Sequence, residues 1–278
     1  MVSRRRWFFT GILLVSLVAA WFGFIWQRQQ QPANNELSSQ KELEVIFVSS
    51  TPRLLEYIEV VDGCGPYWGE GCLNVRSGPG EEYPKVAELR TGVVLRVGEK
   101  IINDAGREWY KIIFDEWVRY PERITGEWYV AADYVKPFFE EEPSEFVPGE
   151  TPSTTKHILV DRSEQMLYAY DGDELFAKEP ISTGLAVTPT PRGSFYVYRK
   201  TPSRYMQGPL PGISEKYYDL PGVPWNLFFT YQGAVIHGAY WHDKFGQVWS
   251  SGCVNLMPEQ AKKLYEWAEL GMPVVVRD

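Results

Sequence analysis

The stretch SSGCVNL, residues 250–256, carries the third of only three cysteines in a chain of 278 residues. A cysteine nucleophile needs a thiolate, a base to take its proton, and donors for a developing oxyanion. The chain has three histidines, His157, His237 and His242. His237 and His242 precede Cys253 by 16 and 11 positions, and the intervening HGAYWHDKFGQVWSSGC is rich in glycine and aromatic residues. AVIHG reads as the end of a strand, and SSGC as a tight turn leading into VNL. Two strand ends joined by such a loop can bring a histidine beside a cysteine. Small residues around Cys253 leave backbone N–H groups free to point at a bound carbonyl oxygen. The chemistry these residues would support is acyl transfer through a thioester. On residue types alone two other readings stay open. A lone cysteine is commonly a packing residue. A zinc site would draw on Cys253, the two nearby histidines and Asp243, but with only one cysteine in reach no metal is assigned. His157 lies at the start of a strand and reads as structural.

The elements that would position these residues are mostly strands. From 156 to 278, HILVDR and QMLYAYDGDELFAKEPIST read as a hairpin turning at Asp171-Gly172, followed by strands in GSFYVYRK, GAVIHG and PVVVRD. PEQAKKLYEWAEL, residues 258–270, has a helical pattern, with Leu264, Trp267 and Ala268 on one face and Pro258 in the first turn. Upstream, residues 44–138 hold LEVIFV, YIEVV, KVAELR, VVLRV, WYKIIF and EWYVA, separated by turn-rich stretches. That pattern suggests a small barrel or sandwich. Between the two regions, FEEEPSEFVPGETPSTT at 139–155 combines acidic residues with prolines and reads as a stiff linker. The fold class is therefore mainly β, in two domains, with one or two helices.

The net charge of −8 and a pI near 5.1 argue against a nucleic-acid partner. There is no Walker loop and no GxGxxG opening a helix, so no nucleotide cofactor is expected. The N-terminus reads differently. Arg4, Arg5 and Arg6 precede an uncharged apolar run at 7–26, long enough to span a bilayer as a helix. The arginines place residues 1–6 in the cytoplasm and the remainder outside, beyond a polar spacer at 27–43. A cleaved signal peptide ending near Ala20 is the competing reading. Either way the chain is exported, and disulfides persist there. Cys64 and Cys72 flank a short turn-rich stretch and would close it as a loop. Cys253 is then the odd cysteine, which calls for an explanation.

Here a resemblance becomes specific. His237-Gly238, a spacer, then Ser250-Ser251-Gly252-Cys253-Val254-Asn255 resembles the signature of the L,D-transpeptidases, the YkuD-type catalytic domain. STGLAVTPTPRGSFYV, residues 182–197, and HILVDRSEQMLYAY resemble that family's upstream segments, so the likeness covers roughly 156–278. It implies that Cys253 attacks an L,D-amide of a peptidoglycan stem tetrapeptide and that His237 takes the thiol proton. It also implies that the Gly238 carbonyl orients the imidazole, and that backbone N–H groups of Ser251, Gly252 and Cys253 hold the oxyanion. Asn255 and His242 would support the site, with Met206 and Trp241 in the substrate cleft. One departure matters. The family has histidine immediately before Gly-Cys, where this chain has Ser251, so a donor is missing unless His242 replaces it in space. LNVRSGPGEEYPKVAELRTGVVLRV, residues 73–97, with WYVAADYV is similar to the bacterial SH3-like repeat, which implies contact with glycan strands of the wall. Tyr67, Trp68, Trp109 and Trp128 could stack on sugars or pack the barrel.

The leading expectation is a single-pass, membrane-anchored L,D-transpeptidase with its catalytic domain outside the cytoplasm and no cofactor. A papain-like endopeptidase would place cysteine before histidine, the reverse of the order here. A non-catalytic wall-binding scaffold, or an L,D-carboxypeptidase using water as acceptor, are the remaining alternatives. A Cys253 locked in a disulfide would favour the scaffold.

Overall fold

The computed structural model describes residues 53–66, 71–146 and 154–278. The expected span at 7–26, the spacer at 27–43, the strand at LEVIFV, and Tyr67 and Trp68 lie outside the described residues. Among the described residues no helix is long and apolar enough to cross a membrane.

Seven strands form the first sheet: β1 (Leu54–Val60), β2 (Leu73–Arg76), β3 (Lys85–Leu89), β4 (Val94–Ile102), β5 (Glu108–Ile112), β6 (Trp128–Ala131) and β7 (Val135–Glu141). Their order is β3-β2-β6-β5-β4-β1-β7. The runs YIEVV, KVAELR, VVLRV, WYKIIF and EWYVA read from the sequence contribute here, because alternate side chains can fill one core while the others face out. Trp109 and Trp128 are both buried, as core packing would have them. Cys64 and Cys72 form a disulfide that closes the loop between them.

β7 departs from the sequence reading. Residues 139–141, assigned to the linker, continue the strand and pair with β1 as far as Leu54↔Glu141. Phe138 stacks on Tyr57 at 5.7 Å, and this apolar contact draws the acidic run into the sheet as a charged edge. Phe146 then hydrogen-bonds Tyr198, its N–H donating at 2.7 Å.

The second region runs β8 (Lys156–Asp161), β9 (Met166–Asp171), β10 (Glu174–Pro180), β11 (Gly193–Tyr196), β12 (Arg199–Leu210), β13 (Ser214–Phe228), β14 (Val235–Gly238), β15 (Val254–Leu256), α1 (Pro258–Trp267) and β16 (Pro273–Arg277). They make a five-stranded sheet, β10-β9-β8-β16-β11, and a four-stranded sheet, β12-β13-β14-β15. Gly172 turns the β9–β10 hairpin with φ +58°, where a side chain would be strained. α1 starts on Pro258 and buries Ala261, Leu264 and Tyr265 against the core.

The two regions are not separate bodies. Leu55, Tyr57 and Val94 of the first sheet belong to the core cluster built on Ile158, Leu227, Ile236 and Leu264. In return Val223 and Tyr240 enter the cluster of Ile58, Leu95 and Trp128. Thr51–Asp278 accordingly forms one compact unit.

Candidate active site

The site grows from the four-stranded sheet. β13 pairs with β14 at Leu227↔Ile236 and Phe228↔Val235, and β14 pairs in parallel with β15 at Ile236↔Val254 and His237↔Asn255. Leu227, Ile236 and Val254 point into the core. Side chains alternate along strands, so Phe228, Val235, His237 and Asn255 share the other face. One step before the Ile236↔Val254 pair lies Cys253, beside Val235, whose backbone hydrogen-bonds the thiol. Cys253 and His237 thus sit on one face, one strand over and two residues along.

Cys253 is a free cysteine, and its Sγ–H approaches the Gly233 carbonyl at 3.8 Å. Burial raises the thiol pKa, and the Arg204 charge pulls it back down in part. His237 is fully buried, and burial lowers its pKa to about 4. Its ring faces the Gly238 carbonyl through Nδ1 at 3.0 Å. A carbonyl only accepts, so Nδ1 carries the proton and the Nε2 lone pair is left open. Nε2 is buried with no hydrogen-bond partner among the described residues. The resting pair is therefore a neutral thiol and a neutral imidazole of fixed tautomer.

The turn around Cys253 is held from both sides. Ser250 Oγ donates to the Cys253 carbonyl at 2.5 Å and accepts the Gly252 N–H at 3.1 Å. Gly252 takes φ +117°, a backbone that only glycine adopts readily. Segment 182–190 grips the same turn. Ser182 and Asn255 exchange two backbone hydrogen bonds of 2.9 Å, and the Leu185 N–H donates to the Ser250 carbonyl at 2.9 Å. Gly184 lies so close that an added Cβ would meet the Thr188 carbonyl at 2.1 Å and the Gly252 Cα at 2.9 Å. Of the three N–H groups that the sequence offered to an oxyanion, Gly252 is spent on Ser250. Those of Ser251 and Cys253 bond no described residue.

His242 does not stand in at the thiol. Its Nδ1 accepts the Lys244 N–H at 3.1 Å, and its Nε2 lies 2.9 Å from the Asn255 side-chain amide. Burial lowers its pKa to about 4, so the ring is neutral. A neutral ring accepting at Nδ1 must donate at Nε2, so Asn255 turns its amide oxygen to the ring. His242 thereby fixes Asn255, the β15 residue paired with His237. Trp241 lies near the base, its ring centroid 5.8 Å from that of His237. A bulge between Arg204 and Met206 shifts the register, and Met206 packs against the core cluster of the first sheet.

Of the hairpin of β12 and β13, sequence reasoning named Met206 but neither Arg204 nor Tyr218, which the pairing of the two strands brings to the site. Arg204 holds its guanidinium carbon 5.2 Å from the Phe228 ring centroid. Burial, and then Cys253 beside it, raise the Tyr218 hydroxyl pKa to about 12. The first sheet's connection 116–123 clasps this hairpin. Gln207 Oε1 accepts the Tyr120 N–H at 2.7 Å, Arg123 donates to the Gly208 carbonyl at 2.7 Å, and Glu116 Oε1 accepts the Tyr205 N–H at 2.8 Å. No local motif marks these residues, because they meet the thiol only through long-range pairing. Among the described residues, no group of acidic, cysteine or histidine side chains could hold a metal ion.

Residues 155–276 match the YkuD family, the L,D-transpeptidase catalytic domain. The YkuD match holds Cys253, His237, Gly238, Asn255, the hairpin and the clamping segment. No curated protein matches the chain by sequence. Among solved structures, an L,D-transpeptidase from Mycobacterium smegmatis is 22% identical over 62% of this chain and 92% of that one, with a TM-score of 0.43. A mutant L,D-transpeptidase from Enterococcus faecium is 28% identical over 44% of this chain, with a TM-score of 0.41, and the chain spans 50% of that protein's length. L,D-transpeptidase 1 of Mycobacterium tuberculosis is 22% identical over 55% of this chain and 77% of that one, with a TM-score of 0.39.

Proposed function

We propose that the chain is a peptidoglycan L,D-transpeptidase working through a thioester on Cys253. One observation carries this reading. Within the YkuD-matched segment, the parallel β14–β15 register sets a free cysteine on the same sheet face as a neutral histidine whose Nε2 is open. Cys253 Sγ attacks the carbonyl of the L,D-amide in a stem tetrapeptide while His237 Nε2 takes the thiol proton. The oxyanion forms against the Ser251 and Cys253 N–H groups. As the C–N bond breaks, His237 returns the proton to the leaving D-alanine amine. An acceptor amine then attacks the thioester, losing its proton to His237; the C–S bond breaks, His237 returns the proton to the departing Cys253 sulfur, and the new amide crosslinks two stems or anchors a protein. The first sheet serves as an SH3-like module that meets glycan strands. Residues 7–26 anchor the chain, with the catalytic part outside the cytoplasm. A locked Cys253 would have favoured the scaffold reading; the disulfide joins Cys64 to Cys72 and Cys253 is free.

Intact-protein mass spectrometry with a carbapenem and, separately, with a tetrapeptide donor tests the reading. The expected result is a covalent adduct with each on the full chain, absent in Cys253→Ala and slowed in His237→Ala. A folded chain with a free thiol and no adduct overturns it.

A further inference from the structure

The Arg204 guanidinium has no counter-ion that its position explains. It forms no ion pair with any described residue, and its Nη1 is buried without a hydrogen-bond partner. Glu116, which feels the Arg204 charge, has Oε1 engaged by the Tyr205 N–H at 2.8 Å. A guanidinium nitrogen held out of water without an acceptor is costly, because its desolvation is not offset by pairing. Its setting also fixes its direction. Trp225, at φ +61°, interrupts the alternation of β13. Arg204, paired with Val223, accordingly lies over Phe228, on the face that carries Val235 and His237. Its charge acts on both the Cys253 thiol and the His237 ring. A positive group therefore stands on the sheet face that carries the thiol and the imidazole, close enough for its charge to act on both.

We propose that Arg204 binds a carboxylate of the acyl-donor peptide next to the scissile amide. The proposal deepens the function above and rests on it. A guanidinium receives a carboxylate through paired N–H donors, and the Phe228 ring beneath holds its plane. Two carboxylates of a tetrapeptide donor fit this chemistry: the terminal one of the leaving D-residue, and the side-chain one of a diamino-acid residue that becomes the acyl group. Tyr218, on the facing strand of the hairpin, feels the charge of Cys253 and would border the same peptide.

The test uses the full chain with Cys253→Ala, which keeps the donor intact, and binding by calorimetry. Three peptides are compared: the free tetrapeptide, its C-terminal carboxamide, and a form amidated at the diamino-acid side chain. The free acid should bind at least ~10-fold more tightly than one of the two amides, the scale on which a site built for a polar group rejects an analogue lacking it. The amide that loses affinity identifies the carboxylate. Adding Arg204→Gln should abolish the preference by weakening only the carboxylate-bearing peptides, and Arg204→Lys should keep part of it. Should Arg204→Gln not fold, Arg204→Lys alone decides: a preference as large as with arginine overturns the proposal, and a reduced one supports it. Equal loss for all peptides, an unchanged preference, or no binding of any peptide also overturns it. A thioester on the wild-type chain without Arg204-dependent selectivity would sink this inference and leave the proposed function standing.

Discussion

Burial acts on Cys253 and His237 in opposite senses, raising the thiol and lowering the imidazole. Two neutral groups must transfer the proton during attack rather than before it. The requirement at the site is then an unprotonated His237, and with its pKa at about 4 this is met throughout neutral pH. The rate of carbapenem adduct formation should be flat from about pH 6 to 8 and fall below about pH 5. Quenched mass spectrometry across that range checks it. A rate that climbs through the ordinary imidazole range would show instead that His237 titrates like an exposed ring. At this scale the sequence was informative where function concentrates in one short motif. Cys253, His237, Gly238 and Asn255 are adjacent on two paired strands, so their spacing carries their geometry. Arg204 lies in a different segment, and no spacing rule connects a single arginine to a distant thiol. The substitution of Ser251 for the family histidine was visible, but the fate of His242 was not. Its two ring nitrogens are committed to Lys244 and Asn255, and only the folded loop shows that.

Among the elements, segment 182–190 acts as a brace for the nucleophile's turn, and Gly184 is its tightest point. Its missing side chain allows Thr188, Thr190 and Gly252 to close around it. In Gly184→Ala the new Cβ meets backbone atoms, which cannot move aside as a side chain could. The variant should lose about 2–4 kcal/mol of stability in urea unfolding, or fold with the Cys253 turn displaced and acylation slowed at least ~10-fold. Full stability together with full acylation would show that the brace is not needed. Strand positions were largely legible, because alternating β-branched and aromatic runs state their own period. One boundary was misread. Phe139 was grouped with the glutamates after it, and composition gave no sign that β1 would pair with that run.

At the scale of the whole molecule, the shared core makes the first sheet part of the catalytic scaffold. Glu116 is where this is most sensitive to pH. Burial raises its pKa from 4.5 to about 7, so the fold favours the protonated carboxyl. Its contribution to stability is present below about pH 4.5 and is lost as pH rises through 7. His237 and His242 run the other way. Lowered from 6.5 to about 4, they contribute above pH 6.5 and lose that contribution as pH falls through 4. Glu116→Gln keeps an acceptor for the Tyr205 N–H and removes the titration. Relative to wild type, it should gain on the order of 2 kcal/mol at pH 8 over its difference at pH 5. Urea unfolding at both values measures this, and an unchanged difference would place the carboxyl in water. The chain also keeps a closed disulfide and an open thiol in one molecule. Thiol–disulfide exchange and peroxide oxidation both proceed through the thiolate. A Cys253 held protonated by its surroundings is therefore a poor reactant toward either, and the same burial that delays its chemistry preserves it, under oxidising conditions, until an acyl group arrives.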